Sequence, residues 1–128
     1  MSGPAHKAII RRLYDEVFNQ DRLDVADELA RPDFAIHDRA SDQSVGPDAI
    51  KATQRRLRAA FPDLQIHIED MVAENDRVAV RWIMRGTQSG EFMGRPATGQ
   101  PVAQHAIVIF RFDGDQLAET WPVIANAR

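Results

Sequence analysis

The hydrophobic period of this chain changes once, and that change limits the folds open to it. Up to residue 61 the apolar residues recur at helical spacing, and from Leu64 onward they alternate. Ile9, Ile10, Leu13, Tyr14, Val17 and Phe18 fall on one face of a first helix; Pro4 suits its first turn, with Ser2 or Gly3 as cap. Asn19-Gln20-Asp21 interrupts the run. Asp21 is placed to cap a short second helix through Leu23, Val25, Ala26 and Leu29, and Pro32 is expected to end it. Phe34-Ala35-Ile36 reads as a short strand. Gly46-Pro47-Asp48 opens a third helix with Ile50, Leu57 and Ala60 on one side and Lys51, Arg55, Arg56 and Arg58 on a solvated one. Phe61-Pro62-Asp63 stops it.

Leu64, Ile66 and Ile68 then alternate with polar neighbours, and Glu74-Asn75-Asp76 makes a turn. Residues 78–85 form a long strand with Val80, Trp82 and Met84 on one face and Arg81, Ile83 and Arg85 on the other. Residues 102–112 and 117–124 are two more strands around the turn Asp113-Gly114-Asp115. Between Gly86 and Pro101 stand four glycines and two prolines. That segment is expected to be a long loop or a loosely paired hairpin, with Gly90 to Gly99 a mobile flap over the mouth of a site. It is no phosphate loop, because it lacks GxxxxGK[ST] and does not run from strand to helix. Three helices followed by a meander of antiparallel strands make an α+β fold. Helices packed over the concave face of such a curved sheet leave a cone-shaped space. Lined by Phe, Trp, Met and Val, it suits a small apolar molecule.

The remaining composition excludes more than it specifies. A chain of 128 residues is read as one domain over 1–128. A net charge of −3 offers no basic field, so nucleic acid is not an expected partner. No apolar run approaches the roughly 18 residues of a membrane span. MSGPAHKAII lacks the apolar segment of a signal peptide, so the expected location is cytoplasmic. Without cysteine there is no disulfide, thiol nucleophile or cysteine-ligated zinc. His6, His37, His67 and His105 show no HxH or HxxxH spacing, so no metal is expected.

Several phrases bring in a family. "YDEVFNQDRLDVADELARPDFAIHD", "GPDAIKATQRRLRAAFPDLQI", "AENDRVAVRWIMRGTQSGEFMGRPATGQPV" and "IVIFRF…LAETW" together span nearly the whole chain. In that combination the chain resembles the SnoaL-like polyketide cyclases of the NTF2-like superfamily. The resemblance implies a cone-shaped α+β barrel that is a homodimer through the outer sheet face. It also implies a cofactor-independent apolar pocket acting on polycyclic or other small carbonyl compounds, as lyase or isomerase. The best-known cyclases close a ring by an intramolecular aldol step, with a last-strand aspartate supported by a histidine and a glutamine on the preceding strand. Without gaps from Arg111 to Trp121, those positions fall on Pro122, Val108 and Ala106, none of which exchanges a proton.

The chain also resembles ketosteroid isomerases, which use a helix-1 tyrosine and an aspartate after helix 2. Those positions fall on Tyr14 and Asp38. A carboxylate beside a carbonyl compound removes an α-proton, and a tyrosine hydroxyl stabilises the enolate that develops. Asp38, Tyr14 and the adjacent His37 are therefore the candidate catalytic residues. Against that stand a turn role for Asp38, a core role for Tyr14 and a structural role for His37. Adjacent side chains on an extended strand point to opposite faces; both His37 and Asp38 enter the pocket only if the chain bends at Arg39-Ala40-Ser41-Asp42. Phe18, Phe61, Trp82, Met84, Phe92, Val108, Phe110 and Thr120 are the candidate ligand-binding residues, with Thr120 offering one hydrogen bond. His105 is read on the outer face, turning inward only if its strand slips by one residue; His67 is read as exposed, and His6 as near a terminus. Two rival functions remain: a noncatalytic small-molecule-binding protein that lacks the last-strand acid, and a hydrolase that would need inward carboxylates where Trp82 and Met84 stand.

Overall fold

A computed structural model describes residues 2–38 and 44–125. The bend expected at 39–42 lies outside them. Helix α1 (Gly3–Arg12) starts as the sequence suggests, with Ser2 accepting from the Ala5 N–H at 3.3 Å and proline in the first turn. It then winds more loosely into a π-helical stretch, Leu13–Asn19, and the Gln20 N–H reaches back to the Asp15 carbonyl at 3.0 Å. This wide turn buries Leu13, Tyr14, Val17 and Phe18 together.

The second helix is shorter than its apolar spacing implies: a 3₁₀ turn, Leu23–Val25, runs into α2 (Ala26–Leu29). Asp21 does not cap it. Its backbone has φ of 60°, and its carboxylate accepts from the buried Gln54 amide at 2.8 Å. Nor does Pro32 end it, because the chain is already extended at Ala30, the start of β1 (Ala30–Ile36). Helix α3 (Pro47–Ala60) follows, then β2 (Gln65–Glu74), β3 (Arg77–Thr87), β4 (Pro101–Asp113) and β5 (Gln116–Ile124).

The strands form one curved sheet in the order β1-β5-β4-β3-β2. Every pairing is antiparallel except β1 with β5, which is parallel. The parallel edge follows from connectivity, since α3 and three strands separate β1 from its neighbour. Irregularities between Ile68 and Asp70 and between Arg111 and Phe112 bend the strands. Three helices on a mostly antiparallel sheet give the α+β arrangement expected.

Side-chain bonds to backbone hold the helices over the sheet. Asn19 acts as a strand partner, donating to the Ile66 carbonyl at 2.8 Å and accepting from the Ile66 N–H at 2.7 Å. Arg58 is a correction to the solvated helix face: its guanidinium donates to the carbonyls of Phe18, Asn19, Pro62 and Leu64. It locks the end of α3 to the end of the π stretch. His6, near the terminus, is buried and stacked on Phe112 at 4.1 Å, with Nε2 against the Gly114 carbonyl at 2.9 Å. The buried apolar residues, Ile83 and Ala118 apart, form one cluster between the helices and the inner sheet face. Among the described residues no helix is long and apolar enough to cross a membrane.

Candidate functional site

The inner sheet face and the helices enclose a cavity of about 510 Å³. Period-two alternation supplies its floor: Trp82 and Met84 from β3, Gln104, Val108 and Phe110 from β4, and Thr120 and Pro122 from β5. The π stretch supplies Leu13, Tyr14 and Phe18 as the opposite wall. The walls are largely apolar, and Tyr14 sits among the rings of Phe18, Trp82 and Phe110 at 5.4, 5.9 and 6.3 Å.

The loop after β3 covers the mouth. It is a hydrogen-bonded unit: the buried Gln88 amide donates to the carbonyls of Arg95 and Pro96 at 3.3 and 3.1 Å, and Phe92 and Arg95 exchange backbone bonds at 3.0 Å. Ser89 and Gly90 donate to the Ala60 carbonyl, docking the loop on the end of α3. Gly90 is required there, because a Cβ would stand 2.7 Å from the Ala59 carbonyl oxygen. The loop thereby brings Glu91, Phe92 and Met93 to the cavity.

The two neighbours His37 and Asp38 part company. The pairing of β1 with β5 extends to the His37 N–H, which donates to the Thr120 carbonyl at 2.9 Å. Asp38 borders the cavity. His37 does not, a correction to its place among the candidate catalytic residues. Its Nε2 lies 3.0 Å from Glu119 and its ring stacks on Trp121 at 5.2 Å, both on the outer side of β5. Alternation along the strand is the reason.

Of the candidate ligand-binding residues, Phe18, Trp82, Met84 and Phe92 line the cavity, as do Val108, Phe110 and Thr120. Phe61 does not: it is fully buried behind Phe92, edge to face at 4.9 Å. Thr120 is less available than expected, because its hydroxyl donates to the Ile109 carbonyl at 3.0 Å, leaving only lone pairs for a ligand. His105 faces outward, 3.7 Å from Glu69, so β4 has not slipped; His67 is exposed.

Reading by residue type missed four polar groups on the cavity: Thr53 and Arg56 from α3, Glu91 from the loop after β3, and Gln104 in the floor. Arg56 looked like one of several solvated arginines. Gln104 carried a signal in its parity, since it shares a face with Val108 and Phe110.

Burial pushes the Tyr14 phenol well above its ordinary value, so the side chain is a neutral hydroxyl at any physiological pH. The Trp82 indole N–H is near enough to oppose that shift weakly. It falls short of hydrogen-bond geometry, however, and Trp82 Nε1 is left without a partner. Among the described residues no three His, Asp or Glu side chains stand together as a metal site.

The SnoaL-like polyketide cyclase family model matches residues 8–128. The chain belongs to that family. Among solved structures, it is similar to AclR, a proposed hydroxylase from Streptomyces galilaeus, at 31% identity and a TM-score of 0.80, covering 97% of this chain and 91% of that one. It is similar to IdmH, a proposed polyketide cyclase from Streptomyces antibioticus, at 29% identity and a TM-score of 0.78, covering 94% and 92%. TsrD from Streptomyces laurentii shares the fold with a TM-score of 0.87 at 22% identity, covering 97% and 90%. No curated protein matches the chain. The reactions ascribed to these neighbours differ, so family membership alone does not choose one.

Val108 and Pro122, where the resemblance places the cyclases' histidine and last-strand aspartate, face each other across β4 and β5, both on the cavity.

Proposed function

We propose that this protein is a cofactor-independent cyclase or isomerase of small carbonyl compounds, with its acid–base group moved from β5 to the end of β1. The carrying observation is that Asp38 and Tyr14 border one largely apolar cavity. In this reading the Asp38 carboxylate takes a proton from the carbon next to a ligand carbonyl. The carbonyl oxygen becomes an enolate stabilised by the Tyr14 hydroxyl. Asp38 then returns the proton, either to another carbon of the ligand (isomerisation) or to the alkoxide formed when the enolate carbon closes on a second carbonyl (aldol cyclisation). No redox partner is needed.

The test is hydrogen–deuterium exchange at the α-carbon of bicyclic ketones in D2O, followed by proton NMR. The protein should accelerate exchange over buffer, and Asp38→Asn should lose about 10²–10⁴-fold of that acceleration while remaining folded. Exchange undiminished in the folded variant would remove Asp38 from the reaction.

The apolar Val108–Pro122 wall favours a second reading, a noncatalytic binding protein for the same small molecules. Ligand binding without any acceleration of exchange selects it. In either reading the protein works in the cytoplasm as a homodimer through the outer sheet face. Ile107 and Val123 are register partners there, 53% and 67% exposed, with Ile109 beside them. Sedimentation velocity should show a dimer that Val123→Asp converts to monomer.

A further inference from the structure

His37 stands outside the cavity, yet it is fastened to three successive residues of β5. Its Nε2 meets the Glu119 carboxylate at 3.0 Å and its N–H donates to the Thr120 carbonyl at 2.9 Å. Its ring stacks on Trp121 at 5.2 Å with the planes 20° apart. Arg111 holds the Glu119 carboxyl below its ordinary value, so at neutral pH it is ionised and only accepts. Nε2 is therefore the donor. The two side chains that receive the ring are braced in turn from neighbouring strands. Arg111 of β4 bonds Glu119 at 2.5 Å, and the Arg77 guanidinium of β3 lies 5.2 Å over the Trp121 ring.

An arrangement so open to solvent adds little stability, because water competes for each bond. Its geometry has a different consequence. A backbone bond, a side-chain bond and a stacked ring together fix both the place of His37 and its rotation about the strand. On an extended strand the next side chain points to the opposite face. That side chain is Asp38, on the cavity. The grip of His37 on β5 thus sets the point and the direction from which the Asp38 carboxylate enters.

We propose that His37 is a positioning residue, whose clamp on Glu119, Thr120 and Trp121 aims Asp38 into the cone. It touches no ligand and moves no proton. The proposal rests on the reading of Asp38 as the base and adds what holds that base in line. Misplacing a reacting group by about 1 Å can cost about 10²-fold in rate, so a network of small energy has a long lever on turnover.

Nitrogen-15 relaxation on the full chain tests the clamp without turnover. The Asp38 amide should have an order parameter of about 0.85 in the wild-type protein, the value of rigid backbone. It should fall below about 0.6 in His37→Leu and in Glu119→Leu, both folded by circular dichroism. Glu119→Leu leaves the chain around Asp38 unaltered, so it separates the clamp from any local effect of a new residue at 37. His37→Gln keeps a donor for Glu119 and should stay rigid. In ketone exchange His37→Leu should lower the maximal rate about ten- to a hundredfold with KM unchanged, and His37→Gln should recover most of it. The proposal is overturned if the Asp38 amide stays rigid in either leucine variant. It is overturned equally if His37→Leu turns over as fast as wild type while Asp38→Asn does not. Full exchange in Asp38→Asn, with the Asp38 amide loosened in both leucine variants, would remove the base and leave the clamp. Lost exchange in Asp38→Asn, with that amide rigid in both, would remove the clamp and leave the base.

Discussion

The two faces of the β4–β5 pair carry polar groups in opposite conditions. On the outer face each group has found another. Arg111 bonds Glu119 at 2.5 Å, His37 approaches the same carboxylate at 3.0 Å, and Trp121 is stacked by His37 and capped by Arg77 at 5.2 Å. On the inner face and the helical wall opposite, Tyr14, Trp82 and Gln104 sit in an apolar enclosure, and two of the three hold atoms with no partner. A solvated network is mutually satisfied yet contributes little, because water competes for every bond. An enclosed, unsatisfied group interacts strongly with whatever enters. Clusters of charge on this molecule therefore mark its surface, and the sparse polar atoms of the cone mark its site. The dipeptide His37-Asp38 straddles the boundary, one residue on each side.

The largest test of this contrast compares two apolar residues of β5. Leu117 is fully buried and Val123 exposed, so Leu117→Ala should cost ~2–5 kcal/mol in urea unfolding and Val123→Ala no more than ~0.5 kcal/mol at monomer concentrations. Similar losses would mean that the outer face is as closely packed as the inner.

Next comes the joint that lets β1 serve both faces. Gly46 has φ of 72°, a Cβ there would stand 2.5 Å from the Pro32 carbonyl oxygen, and its N–H donates to the Phe34 carbonyl. Gly46→Ala should cost about 1–3 kcal/mol. Gly114→Ala has the same sign of φ and nothing within 4 Å of its Cβ, so it should cost less. Paired thermal melts decide, and equal losses would show that the contact with Pro32 is immaterial.

A smaller effect belongs to the enclosed phenol. Tyr14 is the single tyrosine, so ultraviolet titration reports it without ambiguity. In the fold it keeps its proton above the ordinary value of 10.0, where the unfolded chain releases it. The native state then binds more protons, so stability contributed by the neutral phenol is intact below pH 10 and declines as pH rises beyond it. Tyr14→Phe should lack that alkaline decline. A phenol titrating at its ordinary value would mean that the cavity admits water freely.

The least effect is expected outside. Arg111, and after it His37, hold the Glu119 carboxyl below its ordinary value. A depressed carboxylate stabilises the fold above its unfolded value, and that contribution disappears as pH falls through the lower folded value. Arg111→Gln should move the Glu119 titration upward in carboxylate NMR, with less change in stability than any substitution above. An unmoved titration would dismiss the network as an electrostatic unit.

Much of this arrangement was legible in local sequence. Alternation from Val80 to Met84 placed Trp82 and Met84 on the inner face, and the same parity put His105 outside. Helical spacing put Tyr14 and Phe18 against the core. Other assignments went astray where long-range partners decide. Arg58 looked like its neighbours on α3 until the ends of two helices met around it. Of His6 the sequence says only that it is near a terminus, and its burial comes from the Asp113-Gly114-Asp115 turn, whose Gly114 carbonyl it meets. Phe61 was grouped with the pocket, yet the loop after β3 lays Phe92 in front of it.

Periodicity is a local property, so the sequence by itself determined the order of the layers and the face on which each strand residue lies. It also identified the family, through motifs spread over most of the chain. Which polar groups remain unsatisfied was decided only in the tertiary structure. Satisfaction depends on atoms far apart in sequence, such as the Ala125 carbonyl that holds one end of Gln104 while the other end is buried without a partner. The same holds for His37 and Asp38: their opposition was written in the strand, but which of them met the cone depended on how β1 docked against β5.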